Sequence, residues 1–376
     1  MSGDPVRMID LFAGCGGMTQ GFVDAGFTPA LAVELNPNAA ATYAVNFDPD
    51  VSHTLCRDIA DVDTSMVPEA DIVIGGPPCQ GFSSLGLQDT DDPRNKLWAE
   101  YTRIVQASGA NVFVIENVDR FIKSGEFELL KHEVESGALS DFEIAVGVLD
   151  AADYGVAQRR KRTIIIGSRI GRPSLPMPTH AKEGALFEAP WQTVRDALKG
   201  VRRKAKAPDS LPATKSEFFG RKIGGPYSMS ELHFGRNPTQ LSLDRYRVIP
   251  PGGGRHDLAR ERPDLLPPCW RNKPEGTVDV MGRLQWSKPS VTIRTEFFKP
   301  EKGRYLHPEW SATAIKRSVD RVITHREAAL IQGFPQHFRW CGSKSEIARQ
   351  IGNAVPPPLA EAIASAVQGL FDAELT

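Results

Sequence analysis

Several patterns are missing from this 376-residue sequence, and each absence excludes a class of protein. No stretch reaches the roughly 20 consecutive apolar residues that a membrane-spanning helix needs. The first residues lack the basic-then-apolar pattern of a secretory signal, so we expect a cytoplasmic protein. No two cysteines form a CxxC pair, so neither a zinc site nor a disulfide framework is expected. The five cysteines are Cys15, Cys56, Cys79, Cys269 and Cys341.

An excess of one charge is also missing, because 45 Lys and Arg stand against 46 Asp and Glu. The distribution is uneven: residues 171–300 hold 23 basic and 13 acidic side chains, and the remainder holds 22 and 33. Such asymmetry is typical of a chain with one face that meets a polyanion, although a solvated basic segment explains the same count. A hydrophobic content of 41% is ordinary for a globular protein. The length allows a large domain and a smaller one.

The most informative segment is GGPPCQGFS, residues 75–83. It follows the apolar run 70–74, which predicts a buried strand. Two glycines and two prolines end this strand abruptly, so Cys79 is expected on the loop beyond it. Ligands of open α/β sheets bind at such loops, which makes Cys79 a candidate nucleophile. A small core residue is the alternative for a free cysteine, but a core position does not require this rigid lead-in.

A cofactor pocket is predicted near the start of the chain. Residues 7–13 indicate a first strand, followed by Gly14, Gly16 and the beginning of a helix. A strand, a glycine turn and a helix hold nucleotide-like cofactors through backbone N–H groups. The dinucleotide pattern GxGxxG is not matched, because Thr19 occupies the third glycine position, and this counts against a NAD enzyme.

Acidic residues follow the next strands. Glu34 ends the strand 29–33, twenty positions after Gly14, where a carboxylate can accept hydrogen bonds from both ribose hydroxyls. Asp58, before Ile59, lies at a third predicted strand end, where it could meet an adenine amino group. Each acid alone is better explained as a solvated loop residue. Together, the glycine turn and the two acids at successive strand ends favour an adenosine-containing cofactor.

Two further strands carry candidate site residues. The strand 111–115 ends at Glu116, a position suited to acid chemistry, although a helix N-cap or a surface acid would fit equally. Before the strand 163–167, Gln158, Arg160 and Arg162 alternate and so share one face. Arginines at a strand entry are costly unless they meet anions or acids.

The rest of the chain differs in composition from the segments before it. Residues 168–282 are rich in Pro and Gly and carry much of the basic excess, so we expect a second, smaller domain without internal repeats. Thr324 and Glu327 form a capping-box pattern, which predicts the start of a helix. Residues 359–371 form a last apolar helix.

Six segments carry a resemblance to a known family: DLFAGCGGMTQGF, GGPPCQGFS, ENV, QRRKR, REAALIQGFP and QIGNAVPP, in this order. The chain resembles the bacterial cytosine-C5 DNA methyltransferases, of restriction-modification systems or standing alone. The resemblance implies a doubly wound, Rossmann-like α/β domain that binds S-adenosylmethionine, with a smaller, irregular target-recognition domain inserted near the C-terminus. Residues 1–168 and 340–376 would form the catalytic domain, and residues 169–339 the small domain with its hinge segments.

The resemblance also implies a role for each motif residue. The implied catalytic residues are Cys79, Glu116, Arg160 and Arg162. The implied cofactor-binding residues are Phe12, Gly14, Gly16, Glu34, Asp58, Ile59, Pro78, Asn353 and Val355. The implied DNA-binding residues are Gln80, Ser83, Gln158 and Thr292, and no metal is implied. Cys79 would attack C6 of a flipped cytosine, and Glu116 would bind its N3 edge.

The implied partner is double-stranded DNA, so the protein would lie on the nucleoid. A monomer is expected, and a restriction endonuclease of the same system would not need to touch it. The alternatives are the tRNA-directed branch of the same family, a catalytically silent DNA-binding protein and a small-molecule methyltransferase. The long basic segment favours duplex DNA over tRNA. The intact Cys79, Glu116 and Arg160 speak against a silent binder, and a small-molecule enzyme would not need the insert.

Overall fold

The computed structural model describes residues 5–78, 93–205, 211–272, 279–313 and 318–374. Its strands are β1 Arg7–Leu11, β2 Thr28–Val33, β3 Thr54–Leu55, β4 Ile72–Gly75, β5 Val112–Val118, β6 Glu143–Asp150, β7 Lys161–Ser168, β8 His180–Ala181, β9 Ala189–Pro190, β10 Lys215–Phe218 and β11 Arg221–Gly224. Its helices are α1 Gly17–Asp24, α2 Pro37–Phe47, α3 Pro93–Ser108, α4 Gly125–Ser136, α5 Val194–Ala197, α6 Gln240–Val248, α7 Arg255–Glu261, α8 Pro268–Arg271, α9 His325–Ile331, α10 Lys344–Asn353 and α11 Pro357–Glu374.

A seven-stranded sheet, with the order β3-β2-β1-β4-β5-β7-β6, organises the first half of the described chain. Strands β1 to β5 pair in parallel, whereas β7 runs antiparallel to both β5 and β6. The carboxyl ends of the parallel strands and the start of β7 therefore share one edge. The pairing of β5 with β7 brings the predicted site residues Glu116 and Arg162 to that edge.

The sheet is covered on both faces, which confirms the predicted doubly wound α/β class. Met8 and Ile74 belong to an apolar cluster with α1 and α11, and their neighbours Ile9 and Val73 belong to a second cluster with α3. Successive strand residues point to opposite faces, so this division follows from the continuous apolar runs of buried parallel strands.

Two predicted element ends differ from the structure. The first strand ends at Leu11 and not at residue 13, because Phe12 adopts a positive φ of 58° that turns the chain. The third strand is only Thr54–Leu55, and Asp58 lies beyond it. There the Asp58 side chain accepts a hydrogen bond from the N–H of Ala60 and caps a short 3₁₀ helix, a position that favours a short polar residue over a strand.

Between Ser168 and α9 the chain forms short elements, which pack around an apolar cluster that includes Leu198, Leu232 and Ile293 and are also joined by polar contacts. Arg283 has no exposed surface, and its guanidinium donates to the carbonyls of Ile249, Tyr246 and His307. Such contacts leave no periodic signal in a sequence. The predicted domain boundary at residues 339 and 340 stays a prediction.

A membrane-spanning helix must be both long and apolar, and the helices in the described ranges can be judged by these two properties. None of them combines the length and the apolar character needed to cross a bilayer.

Candidate active site

A cavity of about 590 Å³ opens at the edge where the parallel strands end. Its walls come from the loops after β1, β2, β4 and β5, from the start of β7 and from the end of α10. Most of the predicted site residues that the structure describes line this cavity: Phe12, Gly14, Glu34, Asp58, Ile59, Pro78, Glu116, Arg160, Arg162, Asn353 and Val355. Residues from both ends of the chain therefore meet in one space.

The turn after β1 forms one wall, and its backbone requires glycine. Gly14 and Gly16 have φ values of 56° and 86°, in the left-handed region that side chains disfavour. A Cβ on Gly16 would also lie 2.3 Å from a ring carbon of Phe47. Gly16 does not line the cavity itself but sets the path of the residues that do.

Glu34 fastens this turn to the end of β2. Its Oε2 accepts a hydrogen bond of 2.8 Å from the N–H of Gly14, and its Oε1 accepts one of 2.7 Å from Asn36. Burial raises the pKa of Glu34, and the two backbone N–H groups partly offset this effect. A carboxylate oxygen accepts more than one hydrogen bond, so the group can also receive hydroxyl donors from the cavity.

Two buried groups of this wall were not predicted from the sequence. Asp10 lines the cavity, and Thr19 Oγ1 donates to its Oδ2 over 2.5 Å. Burial raises the pKa of Asp10 to about 7, against the hydrogen bond from Thr19 and with a further contribution from Glu34. Cys15 also lines the cavity, but burial raises the pKa of its thiol to about 12, so it remains a neutral thiol. The alternation of side chains along β1 is the signal that places Asp10.

Glu116 and Arg162 form the opposite wall. Arg162 Nε lies 2.6 Å from Glu116 Oε1. Within the described part of the chain this oxygen has no hydrogen-bond partner, so its contact with Arg162 is an ion pair and not a directed hydrogen bond. The Glu116 carboxylate is thus held by charge and keeps its acceptor capacity toward the cavity.

Arg160 is a cation with only 2% of its surface exposed. Its Nη1 donates to the carbonyl of Ile293 over 3.2 Å, and its Nη2 to that of Asn353 over 3.4 Å. Its Nε is buried and has no hydrogen-bond partner among the residues that the structure describes. Burial, with the nearby charge of Arg162, lowers the pKa of Arg160 to about 9. A buried cation in this state is stabilised when a bound group brings an oxygen acceptor.

Gln158 and Thr292 lie beside the cavity but do not line it. Gln158 has no exposed surface, and both ends of its amide are bonded within the protein, to Gln332 and to Ile293. A DNA contact by Gln158 stays a prediction that this arrangement does not favour. Thr292 Oγ1 donates to the carbonyl of Arg159 over 2.8 Å.

Further charged residues at the cavity were missed by the motif argument. Arg57 follows β3, and Glu346 and Arg349 lie on α10 with Asn353. Their spacing along α10 puts them on one helix face, a signal that could have found them. The predicted nucleophile Cys79 and the predicted DNA contacts Gln80 and Ser83 lie outside the described residues. Pro78, the residue before Cys79, lines the cavity.

Comparison with known proteins gives a consistent result. The family described as C-5 cytosine-specific DNA methylase matches residues 6–369. The chain is 33% identical over 369 residues to the Type II methyltransferase M1.HphI of Haemophilus parahaemolyticus, covering 96% of this chain and 86% of the relative. It is 32% identical over 377 residues to the Type II methyltransferase M.XorII of Xanthomonas oryzae pv. oryzae, covering 94% and 82%.

The solved structures agree. A DNA modification methyltransferase encoded within an E. coli prophage superposes with a TM-score of 0.69 at 26% identity, covering 98% of this chain and 99% of the other. The Dnmt2 methyltransferase of S. pombe, with a TM-score of 0.62 and 15% identity, covers 98% and 99% and shares the fold. The family predicted from the six sequence segments is thus confirmed, and the protein belongs to the C-5 cytosine-specific DNA methylases, a family of enzymes.

Proposed function

We propose that this enzyme transfers a methyl group from S-adenosylmethionine to C5 of a cytosine in duplex DNA, with Cys79 as the nucleophile. The observation that supports this most is the composition of the cavity. Glu34 and Asp58 line one part of it, Glu116 and Arg160 line another, and Pro78, the residue before Cys79 in the sequence, lines it as well. One space therefore has groups suited to a nucleoside and groups suited to a polar base.

The cofactor side fits S-adenosylmethionine in size and in donor set. The volume of about 590 Å³ lies within the range of small-molecule sites, roughly 300–1,000 Å³. The Glu34 carboxylate suits a pair of ribose hydroxyls, and Phe12, turned by its positive φ, offers an aromatic ring to a purine. When bound, the cofactor supplies an electrophilic methyl group on a sulfonium. Asn353 and Val355 would hold it from the α10 side.

The chemistry of the target base explains the need for a thiolate. Cytosine C5 is a poor nucleophile on its own. When the Cys79 thiolate adds to C6, an S–C6 bond forms and C5 becomes enamine-like, so that C5 can take the methyl group. A base, such as solvent water or hydroxide, then removes the C5 proton, and the C5–H electron pair forms the C5–C6 double bond and expels the Cys79 thiolate. Positive charge from Arg160 and Arg162 would favour the thiolate near neutral pH.

Glu116 and Arg160 would hold the base during this sequence. Glu116 would donate a proton to N3 as the bond to C6 forms, which neutralises the negative charge that the thiolate brings to the ring, and Arg162 keeps the carboxyl group in place. The buried, unpartnered Nε of Arg160 would donate to an oxygen of the nucleotide. C6 is out of reach inside a duplex, so the cytosine must first rotate out of the stack into the cavity.

The proposal includes the partners of the enzyme and its oligomeric state. The basic excess of residues 171–300 supports contact with the DNA backbone, since counterion release from phosphates supplies much of the affinity for DNA. The names of the relatives M1.HphI and M.XorII place those proteins among Type II methyltransferases, which supports a restriction endonuclease of the same specificity. Action as a monomer remains part of the proposal.

The first test is genomic. The gene and its Cys79→Ser version are expressed in a host without cytosine methylation, and both genomes are sequenced after bisulfite conversion. We expect protected cytosines in one recurring context with the intact protein and none with Cys79→Ser. Protected cytosines with both versions would exclude Cys79 as the nucleophile. Their absence with both soluble proteins would overturn DNA as the substrate, and methyl acceptance by tRNA would then be measured.

A further inference from the structure

Gln158 and Gln332 form a hydrogen-bonded relay in the interior of the protein. They are 174 residues apart in the sequence, and neither has exposed surface. Gln158 Oε1 accepts from the N–H of Ile293 over 2.6 Å, and Gln158 Nε2 donates to Gln332 Oε1 over 2.5 Å. Gln332 Nε2 then donates to the carbonyl of Ile351 over 2.5 Å.

The backbone fixes the direction of every bond in this relay. The N–H of Ile293 can only donate, so Gln158 must turn its oxygen toward it. The carbonyl of Ile351 can only accept, so Gln332 must turn its nitrogen there. The remaining atoms, Gln158 Nε2 and Gln332 Oε1, are then a donor facing an acceptor. A glutamate at position 332 would keep the bond from Gln158 but would set an oxygen against the Ile351 carbonyl.

The ends of the relay lie next to two different parts of the active site. Ile293 follows Thr292, which the family resemblance assigns to the flipped nucleotide. Ile351 lies two residues before Asn353, which lines the cavity on the proposed cofactor side. Arg160 joins the same two segments a second time, through the carbonyls of Ile293 and Asn353. The Ile293 peptide groups are thus held from both sides.

Tyr305 also holds residues 292–294 in place. Its hydroxyl donates to the carbonyl of Thr292 over 2.8 Å and accepts from the N–H of Arg294 over 3.2 Å. Thr292 Oγ1 donates to the carbonyl of Arg159. These hydrogen bonds, together with those of Gln158 and Arg160, set the position of residues 292–294 relative to the segment before β7 and to α10.

We propose that Gln332 is a positioning residue for methyl transfer. Together with Gln158 it sets the distance between residues 292–294, on the proposed side of the base, and residues 351–353, on the proposed side of the cofactor. This role rests on the proposed function. Binding of DNA alone or of cofactor alone uses one wall at a time and does not need the relay. Methyl transfer needs both walls at a fixed separation, and small misplacements of reacting groups reduce rates strongly.

The test separates the rate of transfer from binding. Gln332→Met has similar volume and removes both bonds of the relay at position 332, whereas Gln332→Glu removes only the bond to Ile351. For both variants we expect kcat for a defined duplex to fall by about 10- to 100-fold. The separate dissociation constants for the duplex and for S-adenosylhomocysteine should change less than threefold. Gln336→Met, at an exposed position just after α9, should leave all three quantities unchanged.

The double variant Gln158→Met/Gln332→Met tests whether the two residues act as one unit. If they do, its kcat equals that of the slower single variant and not the product of two losses. A folded Gln332→Met with kcat within twofold of wild type, or multiplicative losses in the double variant, would overturn the role. So would failure of all these variants to fold, because the pair would then serve stability alone. A wild-type protein without activity would overturn the proposed function itself.

Discussion

Glu34 shows how a single side chain can prepare a binding site before a ligand arrives. Both of its carboxylate oxygens are used by backbone N–H groups, one from the glycine turn and one from Asn36. A neutral amide has only one oxygen acceptor, so it cannot satisfy both donors in the same orientation. The residue therefore stabilises the turn, and we propose that it offers acceptors to a ligand with the same group.

We predict that Glu34→Gln weakens the binding of S-adenosylhomocysteine by roughly 10- to 100-fold, because hydrogen bonds to charged groups contribute about 1.5–3 kcal/mol. Isothermal titration calorimetry of the folded variant measures this change. Glu361→Gln, on the exposed side of α11, is the control and should bind as the wild type does. An unchanged affinity of Glu34→Gln would show that Glu34 serves the turn and not the ligand.

The residues of the site differ in how well the sequence predicts them. Glu116 and Arg162 are predicted from strand ends and alternation, and the structure brings them within ion-pair distance. The partners of Arg160 could not be predicted, because they are backbone carbonyls from Ile293 and Asn353, more than 130 positions along the chain. Every residue has a backbone carbonyl, so the residue type does not indicate which carbonyl will accept a hydrogen bond.

At the scale of elements, the contact between α1 and α11 closes one face of the sheet. Gly21 lies where the two helices approach most closely. A Cβ there would lie 2.4 Å from the nitrogen of Glu361 and 2.5 Å from the carbonyl oxygen of Pro357, and both are backbone atoms. A side chain at position 21 can therefore be accommodated only if the helices move apart.

We predict that Gly21→Ala lowers the free energy of unfolding by about 1–3 kcal/mol, the usual cost of overpacking. Gly369→Ala is the matched control, since position 369 lies in α11 and, among the described residues outside its own stretch of helix, no atom lies within 4 Å of where a Cβ would be. It should be neutral or stabilise by up to about 1 kcal/mol, because alanine is the better helix former. Urea unfolding of both variants measures the difference. A Gly21→Ala protein as stable as Gly369→Ala would contradict close packing at this contact.

The elements themselves were predictable where apolar runs are continuous. Strands β1, β2, β4, β5, β6 and β7 and the last helix follow from such runs, and the capping box at Thr324 is formed as predicted. The antiparallel direction of β7 could not be predicted from its own composition, because a buried strand has the same apolar composition whether it runs parallel or antiparallel to its neighbour. The short elements between Ser168 and α9 pack around apolar residues that lie far apart in the chain and around buried polar groups such as Arg283, and neither arrangement gives a periodic pattern in the sequence.

At the scale of the whole molecule, buried ionisable groups on and near α9 link stability to pH. Burial by itself would raise the pKa of Glu327, but the charge of Arg321 and its two hydrogen bonds outweigh this and lower it to about 2. Burial lowers the pKa of His307 and of His325 to about 4. All three groups bind protons more readily in the unfolded chain than in the folded protein.

Each of these shifts destabilises the folded state as the pH falls. A histidine that stays neutral in the fold contributes fully above its unfolded pKa of about 6.5, and its contribution is lost between pH 6.5 and about 4. A carboxylate with a lowered pKa contributes fully above about 4.5, and its contribution is lost as the pH falls toward 2. The histidines therefore control the first loss of stability, in the range between pH 6.5 and 4.

We predict that His325→Gln reduces the loss of unfolding free energy between pH 7 and pH 5, although it lowers stability at pH 7. A glutamine does not titrate, and its amide can replace the hydrogen bond between His325 Nε2 and the carbonyl of Lys344. A shift from pKa 6.5 to about 4 corresponds to the order of 3 kcal/mol for a fully buried group, and about 2 kcal/mol of this falls between pH 7 and pH 5. Urea unfolding at the two pH values measures the difference. His256→Gln, at an exposed position, should keep the wild-type pH dependence. An equal loss in the wild type and in His325→Gln would mean that His325 binds a proton as readily in the folded protein as in the unfolded chain, which its enclosure by Phe234, Phe297 and Phe298 argues against.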